Sequence, residues 1–180
     1  MLLAKARFED WADMYRNVWS RPETARYMLW TVTASGEEAK ARMERTISWQ
    51  SSHDVWTVYE KSSGQAIGWA GLAELSPGVW QETSIALGPD FVGRGFGRQI
   101  LELLLELARE RGGTEFRCSA RSENTASKAL ITSCGFTLVL TGGTAGPMCW
   151  KPIYGSCHSG RTMSAPTRRL SCNLNRNEEI

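Results

Sequence analysis

The stretch SIALGPDFVGRGFGR, residues 84–98, decides how the chain is read. An apolar strand ends at Gly88-Pro89, a short loop follows, and glycines alternate at Gly93, Gly95 and Gly97. The amphipathic run QILELLLELARERGG then begins. A strand, a glycine-rich turn and a helix start, in this order, make a place to hold a phosphate. The first amides of a helix have no intrahelical acceptor, and the helix dipole adds partial positive charge there. Glycine lets the backbone approach an oxyanion with no Cβ in between.

Outward from this stretch the pattern alternates between two periods. Residues 55–59, 66–75 and 79–87 read as strands of period two joined by the turns Ser62-Ser63-Gly64 and Ser76-Pro77-Gly78, an antiparallel meander. Upstream, 2–7 is a short edge strand, 9–19 a helix, and 24–30 one or two helical turns. Ser35-Gly-Glu-Glu38 is a capping box that starts a helix to about Gln50, with Ala39, Met43 and Ile47 inward. Downstream, the glycine loop opens a helix over 95–111 that Gly112-Gly113 stops. A strand at 114–120, a helix at 122–134 and strands at 136–140 and 148–153 follow. The strands either side of the long helix are expected to be parallel neighbours, and the rest antiparallel. The fold class is mixed α/β, a mostly antiparallel sheet flanked by helices. The domain is expected over 1–154. From 155 to 180 the chain turns to Ser, Arg, Asn and Thr and buries too little to offset its ordering entropy, so a disordered tail is expected there.

Composition narrows the function classes. With 42% hydrophobic and 22% charged residues the 180-residue chain is an ordinary globular domain. A net charge of +2, with no dense Lys/Arg block, gives no footprint for nucleic acid. The richest apolar run, ILELLLELA, is broken by Glu102 and Glu106 and falls well short of the roughly 20 residues a membrane span needs. The first residues lack a signal-peptide pattern, so a cytoplasmic location is expected. Cys118, Cys134 and Cys149 sit in apolar segments as reduced thiols. Cys149, Cys157, His158 and Cys172 form no CxxC pair, and no metal site is expected.

Three phosphate loops can be compared. No GxxxxGK[ST] string occurs. A dinucleotide fingerprint needs a third glycine where Arg98 stands, and the strand before it is a hairpin strand. The acyl-coenzyme A loop, [Q/R]-x-x-G-x-[G/A], is the third. Here the chain resembles the GNAT N-acetyltransferases, closest to the branch of ribosomal-protein N-terminal acetyltransferases, over about residues 2–150. SRPETARYM, QETSIALGPDFVGRGFGRQIL and SENTASKALITSCGF carry the resemblance, the last with the form N-x-x-S-x(7)-G-F.

The resemblance implies a GNAT fold, acetyl-coenzyme A as acyl donor, and a primary amine acceptor, either a small molecule or a peptide N-terminus. Val92, Gly93, Arg94, Gly95, Phe96, Gly97 and Arg98 match the pyrophosphate loop, with Val92 where the family has Gln or Arg. Ile85, Ala86 and Leu87 match the strand end that offers main-chain hydrogen bonds to pantetheine. Asn124, Ser127 and Lys128 match a second cofactor-facing segment. Glu82 matches a glutamate that acts as base in many relatives, and such a base is needed because an alkylamine is mostly protonated at neutral pH. The family's tyrosine, four residues before Gly-Phe, is Ile131 here; in the resembling branch a serine at the Ser127 position is a candidate partner for the departing thiolate. A solvated strand carboxylate is the plainer reading of Glu82, and a helix hydroxyl that of Ser127. Of the tryptophans, Trp11, Trp19, Trp49, Trp56 and Trp69 are expected in the core, and Trp30 and Trp80 at the acceptor cleft. A non-catalytic acyl-coenzyme A-binding module is the alternative function.

Overall fold

The computed structural model describes residues 1–28, 30–121, 123–140 and 148–152, with the backbone alone at 138–140 and 148–152. The expected tail, with Cys157, His158 and Cys172, lies outside the described residues, as does the side chain of Cys149.

The elements follow the expected order. They are β1 (Leu2–Ala4), α1 (Trp11–Met14) continuing as a π-helical turn (Tyr15–Trp19), α2 (Pro22–Ala25), α3 (Gly36–Ser52), β2 (Val55–Tyr59), β3 (Ala66–Ser76), β4 (Val79–Leu87), α4 (Phe96–Glu110), β5 (Glu115–Ala120), α5 (Thr125–Ser133), β6 (Phe136–Leu140) and β7 (Met148–Pro152). The strands form one sheet in the order β1-β2-β3-β4-β5-β7-β6. Of its pairings only β4–β5 is parallel, with α4 as the crossover.

Each face of the sheet buries its own core. On one side α4 lays Ile100, Leu101, Leu104 and Ala108 against Val58, Ile67, Leu72 and Phe116. These α4 positions repeat at helical spacing, so one stripe meets the sheet while Glu102 and Glu106 stay exposed. On the other side α1, the π turn and α3 pack Met14, Val18, Trp19, Ala39 and Met43 on Tyr59 and Ala66. The expected cap forms in part: Ser35 Oγ accepts from the Glu38 amide at 3.2 Å, but Glu38 Oε2 accepts from the amide of Ala34 at 2.8 Å, one residue before the N-cap, instead of from Ser35. In the π turn the Ser20 amide donates to Tyr15 O at 3.0 Å, five residues back.

Two tryptophan expectations change. Trp49 is 55% exposed, stacked on His53, because the inward stripe of α3 runs through Ala39, Met43 and Gln50 and misses it. Trp80 is a core residue rather than a cleft wall. It shares its face of β4 with Glu82 and meets Gly113 at the end of α4, where an added Cβ would lie 2.7 Å from the ring. Trp19 and Trp56 are buried as expected, and Trp11 and Trp69 are half-buried.

Gly68 is fixed by close approach. A Cβ there would lie 2.1 Å from the carbonyl oxygen of Ala86 on the paired strand, and backbone has no room to yield. Gly68→Ala therefore costs about 2 kcal/mol or more. A thermal melt is expected to show a Tm roughly 4–8 °C lower.

Candidate active site

β4 and β5 begin as neighbours and then separate. Their pairing covers Val79–Gln81 against Glu115–Arg117 and goes no further. Beyond Arg117, β5 pairs on its other side with β7, Cys118 opposite Trp150 and Ala120 opposite Met148. β4 stays with β3 through Leu87, but the register slips: Gly71 faces Ser84 and Leu72 faces Glu82, which leaves Thr83 as the extra residue of a β-bulge. The wedge between the strands is a cleft of about 610 Å3.

Glu82 stands at the apex of the wedge. Its side chain is 8% exposed, among the α4-face residues Leu72, Trp80 and Cys118. Its one hydrogen bond among the described residues is from the Ser119 amide to Oε2, long at 3.4 Å. Burial, only partly offset by that amide, pushes its carboxyl up to about 8. The same burial, with Glu82 beside it, pushes the Cys118 thiol up, so it stays a neutral thiol.

The glycine loop lies at the end of β4. Its glycines have different jobs. Gly93 and Gly95 hold positive φ of 78° and 81°, a conformation that side chains resist. A Cβ at Gly97 would sit 3.0 Å from Leu130 Cδ2, so this glycine lets α4 start close against α5. The amide of Gln99 donates to Gly95 O at 3.2 Å, and the amides before it have no carbonyl of α4 to meet. Val92 is 58% exposed.

The loop arginines are engaged with protein. Arg94 pairs with Glu60 and lies over the rings of Phe91 and Phe96. Arg98 donates to Ser133 O at 2.9 Å, at the C-terminal end of α5, and reaches Glu102 at 3.7 Å. Both contacts tie the loop to its surroundings.

Asn124 caps α5, its Oδ1 accepting from the Ser127 amide at 3.0 Å. Asn124 and Ser127 line the wedge with Ile85, and Lys128 is the next, half-buried residue of α5. Ala86 and Leu87 continue the β4 edge that β5 has left. Ile131, where a tyrosine was wanted, is buried in the α4-face core. Trp30 lines the wedge as expected, with Nε1 buried and no hydrogen-bond partner among the described residues. Sequence reasoning missed Tyr27, Met28, Ser119 and Arg121, which also line it. Tyr27 and Met28 end SRPETARYM, a stretch that carries the resemblance and reads as helical turns, but neither was singled out as a site residue.

Residues 1–137 match the family model for the acetyltransferase (GNAT) domain. The chain belongs to that family. It is an acetyltransferase domain of the class whose acyl donor is acetyl-coenzyme A. Over 85 residues, 46% of the chain, it is 37% identical to the N-alpha-acetyltransferase RimI of Mycobacterium tuberculosis. The chain spans about half the length of that curated relative, 52%. Among solved structures, the paia N-acetyltransferase of Thermoplasma acidophilum in complex with coenzyme A shares the fold, with TM-score 0.59 and 15% identity, over 83% of this chain and 96% of that one. An aminoglycoside acetyltransferase in complex with coenzyme A does so with TM-score 0.61 and 18% identity, over 83% and 92%. No helix among the described residues is long and apolar enough to cross a membrane.

The buried carboxyl links stability to pH. In the unfolded chain Glu82 loses its proton near 4.5, and in the folded chain near 8. Below the lower value both states are protonated. Between the two, the unfolded state has released a proton that the folded state keeps bound, so stability falls as pH rises. Glu82→Gln removes this dependence. Between pH 5 and 8 the ligand-free variant is expected to gain roughly 3 kcal/mol on the parent, read from denaturant melts at each pH. Parallel pH curves would show that Glu82 ionises freely in the folded chain.

Proposed function

We propose that the protein transfers an acetyl group from acetyl-coenzyme A to a primary amine by direct attack in a ternary complex, with Glu82 as the base. The observation that carries this reading is a carboxyl of raised pKa, buried where two parallel strands part, in a cleft lined also by the start of α5 and by Leu130, against which Gly97 of the glycine loop packs.

The residues present suit the donor. The amides of residues 93–98 meet no backbone acceptor among the described residues and suit the diphosphate, and the unpaired edge of β4 at Ile85, Ala86 and Leu87 suits the amides of the pantetheine arm. Asn124 holds the start of α5 in place beside them. When bound, acetyl-coenzyme A supplies an acyl thioester already activated toward amines. Glu82 takes the proton that the amine must shed. A base whose pKa lies near the working pH has both the right ionisation and the affinity to hold that proton. Ser127, on the α5 side of the cleft, offers a hydroxyl to the sulfur that leaves. The similarity to an N-alpha-acetyltransferase makes peptide N-termini one arm of the acceptor search, and small amines the other.

Titration calorimetry with acetyl-coenzyme A, followed by thiol release over a panel of amines and peptides, tests the reading. Binding with turnover on at least one amine is expected. Binding with no turnover on any would leave only an acyl-coenzyme A-binding module. For the best amine, kcat/KM is expected to climb with pH and level off above about 8. Glu82→Gln is expected to lose that limb and about 100-fold or more in rate. A variant with the parent's rate and pH profile removes Glu82 from the mechanism.

A further inference from the structure

A second cavity, of about 400 Å3, opens on the α3 face of the sheet. It adjoins the wedge: Trp69, Thr83 and Ser84 line both. The bulge makes this junction. With Thr83 inserted, Thr83 and Ser84 both turn toward α3, while Glu82 and Ile85 on either side pack toward α4. Gly71 leaves the space, since a Cβ there would lie 2.2 Å from Thr83 Oγ1. An amine coming from the α3 side thus meets the wedge beside Glu82.

The walls of this cavity are chiefly apolar: Met14, Trp19, Met43, Trp49, Val55 and Trp69. Its polar groups are short of acceptors. Gln50 is spent, accepting from the Ala6 amide at 2.7 Å and donating to Thr57 Oγ1 at 3.2 Å. Ser84 Oγ accepts from Trp69 Nε1 at 3.0 Å, which leaves its own hydroxyl hydrogen to give. No carboxylate lines the cavity, but Arg42 and Arg45 do.

Arg42 is the telling residue. Its guanidinium lies 4.8 Å over Trp19 and 4.3 Å over Trp30 and makes one hydrogen bond, to Thr33 Oγ1 at 3.0 Å. A guanidinium has five N–H donors. No carboxylate lies within ion-pair distance of it among the described residues; burial and Arg45 lower its pKa to about 10, and Glu38, one turn back on α3 with an oxygen on the Ala34 amide, offsets this only in part. Trp30, on which it rests, also lines the wedge and has its own orphaned Nε1 donor. A half-buried cation and a buried N–H with no acceptor both call for an anion from outside.

We propose that this cavity is the acceptor pocket, and that it selects a small amine with an apolar body and a carboxylate at its far end, the carboxylate on Arg42 and the amine at Thr83–Ser84. The assignment rests on the N-acetyltransferase reading above. The volume is that of a small-molecule site. A polycation, such as an aminoglycoside, would bring charge against two arginines with no acid to receive it. A wholly apolar amine would leave Arg42 and the Trp30 donor unanswered.

Three amines of one shape test this: para-aminomethylbenzoate, para-aminomethylbenzamide and para-xylylenediamine, at one pH and low salt. The carboxylate is expected to exceed the amide in kcat/KM by about tenfold or more, with the diamine lowest. Arg42→Met is expected to bring the carboxylate-to-amide ratio close to one. Because Arg42 stacks on two tryptophans, Arg45→Gln at the exposed rim serves as the milder variant, with a smaller fall in the same ratio. Equal kcat/KM for the three amines in the parent overturns the inference and leaves the acetyltransferase reading standing. Turnover of acidic peptides with para-aminomethylbenzoate inert overturns it too. If no amine is turned over, that reading fails, and tryptophan fluorescence still judges the pocket. Quenching by para-aminomethylbenzoate at lower concentration than by the amide, with the gap narrowed in Arg45→Gln, supports it, and equal titration curves reject it.

Discussion

The separation of β4 from β5 after Gln81 and Arg117 is the constraint on which the site depends. Breaking a ladder inside a sheet leaves backbone donors and acceptors without partners, which is costly when they are buried. β5 pairs with β7 from Cys118 onward, but on its other edge, so both strands keep one paired edge and one edge open to the wedge; on β5 the Ser119 amide there meets Glu82 at 3.4 Å. An open edge is a template for any extended chain that carries its own amides. The pantetheine arm of the family's donor is such a chain, and under the proposed reading the break that weakens the sheet leaves the edge on which the donor completes it.

The charges around the cleft follow a consistent division. Arginines near the phosphate loop are neutralised by protein, Arg94 by Glu60 and Arg98 by Ser133 O and Glu102. They tie the loop to its surroundings. Within the wedge, Glu82 is carried as a neutral acid by its burial. On the α3 side, Arg42 keeps its charge with no ion pair among the described residues, and Glu38 offsets its burial only in part. Under the proposed reading, the loop amides, the neutral acid at the apex and the cation behind it each call for a different part of the reacting pair.

How much of this was legible in the sequence depended on whether the signal was local. The strand–glycine–helix run and the S-G-E-E cap specified α4 and α3, because helix starts are set by a few adjacent residues. The matched pattern around Asn124 and Ser127 found the second side of the cleft for the same reason. Trp80 was misread because it sits next to a turn, yet strand alternation puts it on the same face as Glu82, inward. Trp49 was misread because a large apolar residue was taken as buried, although α3 keeps its inward stripe elsewhere. Arg94 and Arg98 were matched to the loop by position, and their protein partners, Glu60 and Ser133, lie 34 and 35 residues away. Such pairings leave no mark on local spacing.

The bulge at Thr83 was not legible at all, and it governs the most. Q-E-T-S-I-A reads as plain alternation, and no residue in it is special to a bulge. Without the extra residue, Glu82 and Ser84 would share one face and Thr83 and Ile85 the other. The apex carboxyl and the two hydroxyls facing α3 could not then sit side by side on opposite faces, and Ile85 would lose its place against the α4 core. What sets the bulge is found across the sheet: Gly71 opposite it supplies the room, and Trp69 takes Ser84 as its acceptor on the bulged side. The bulge is therefore specified by β3, and a site carried on β4 is encoded in part by the strand beside it.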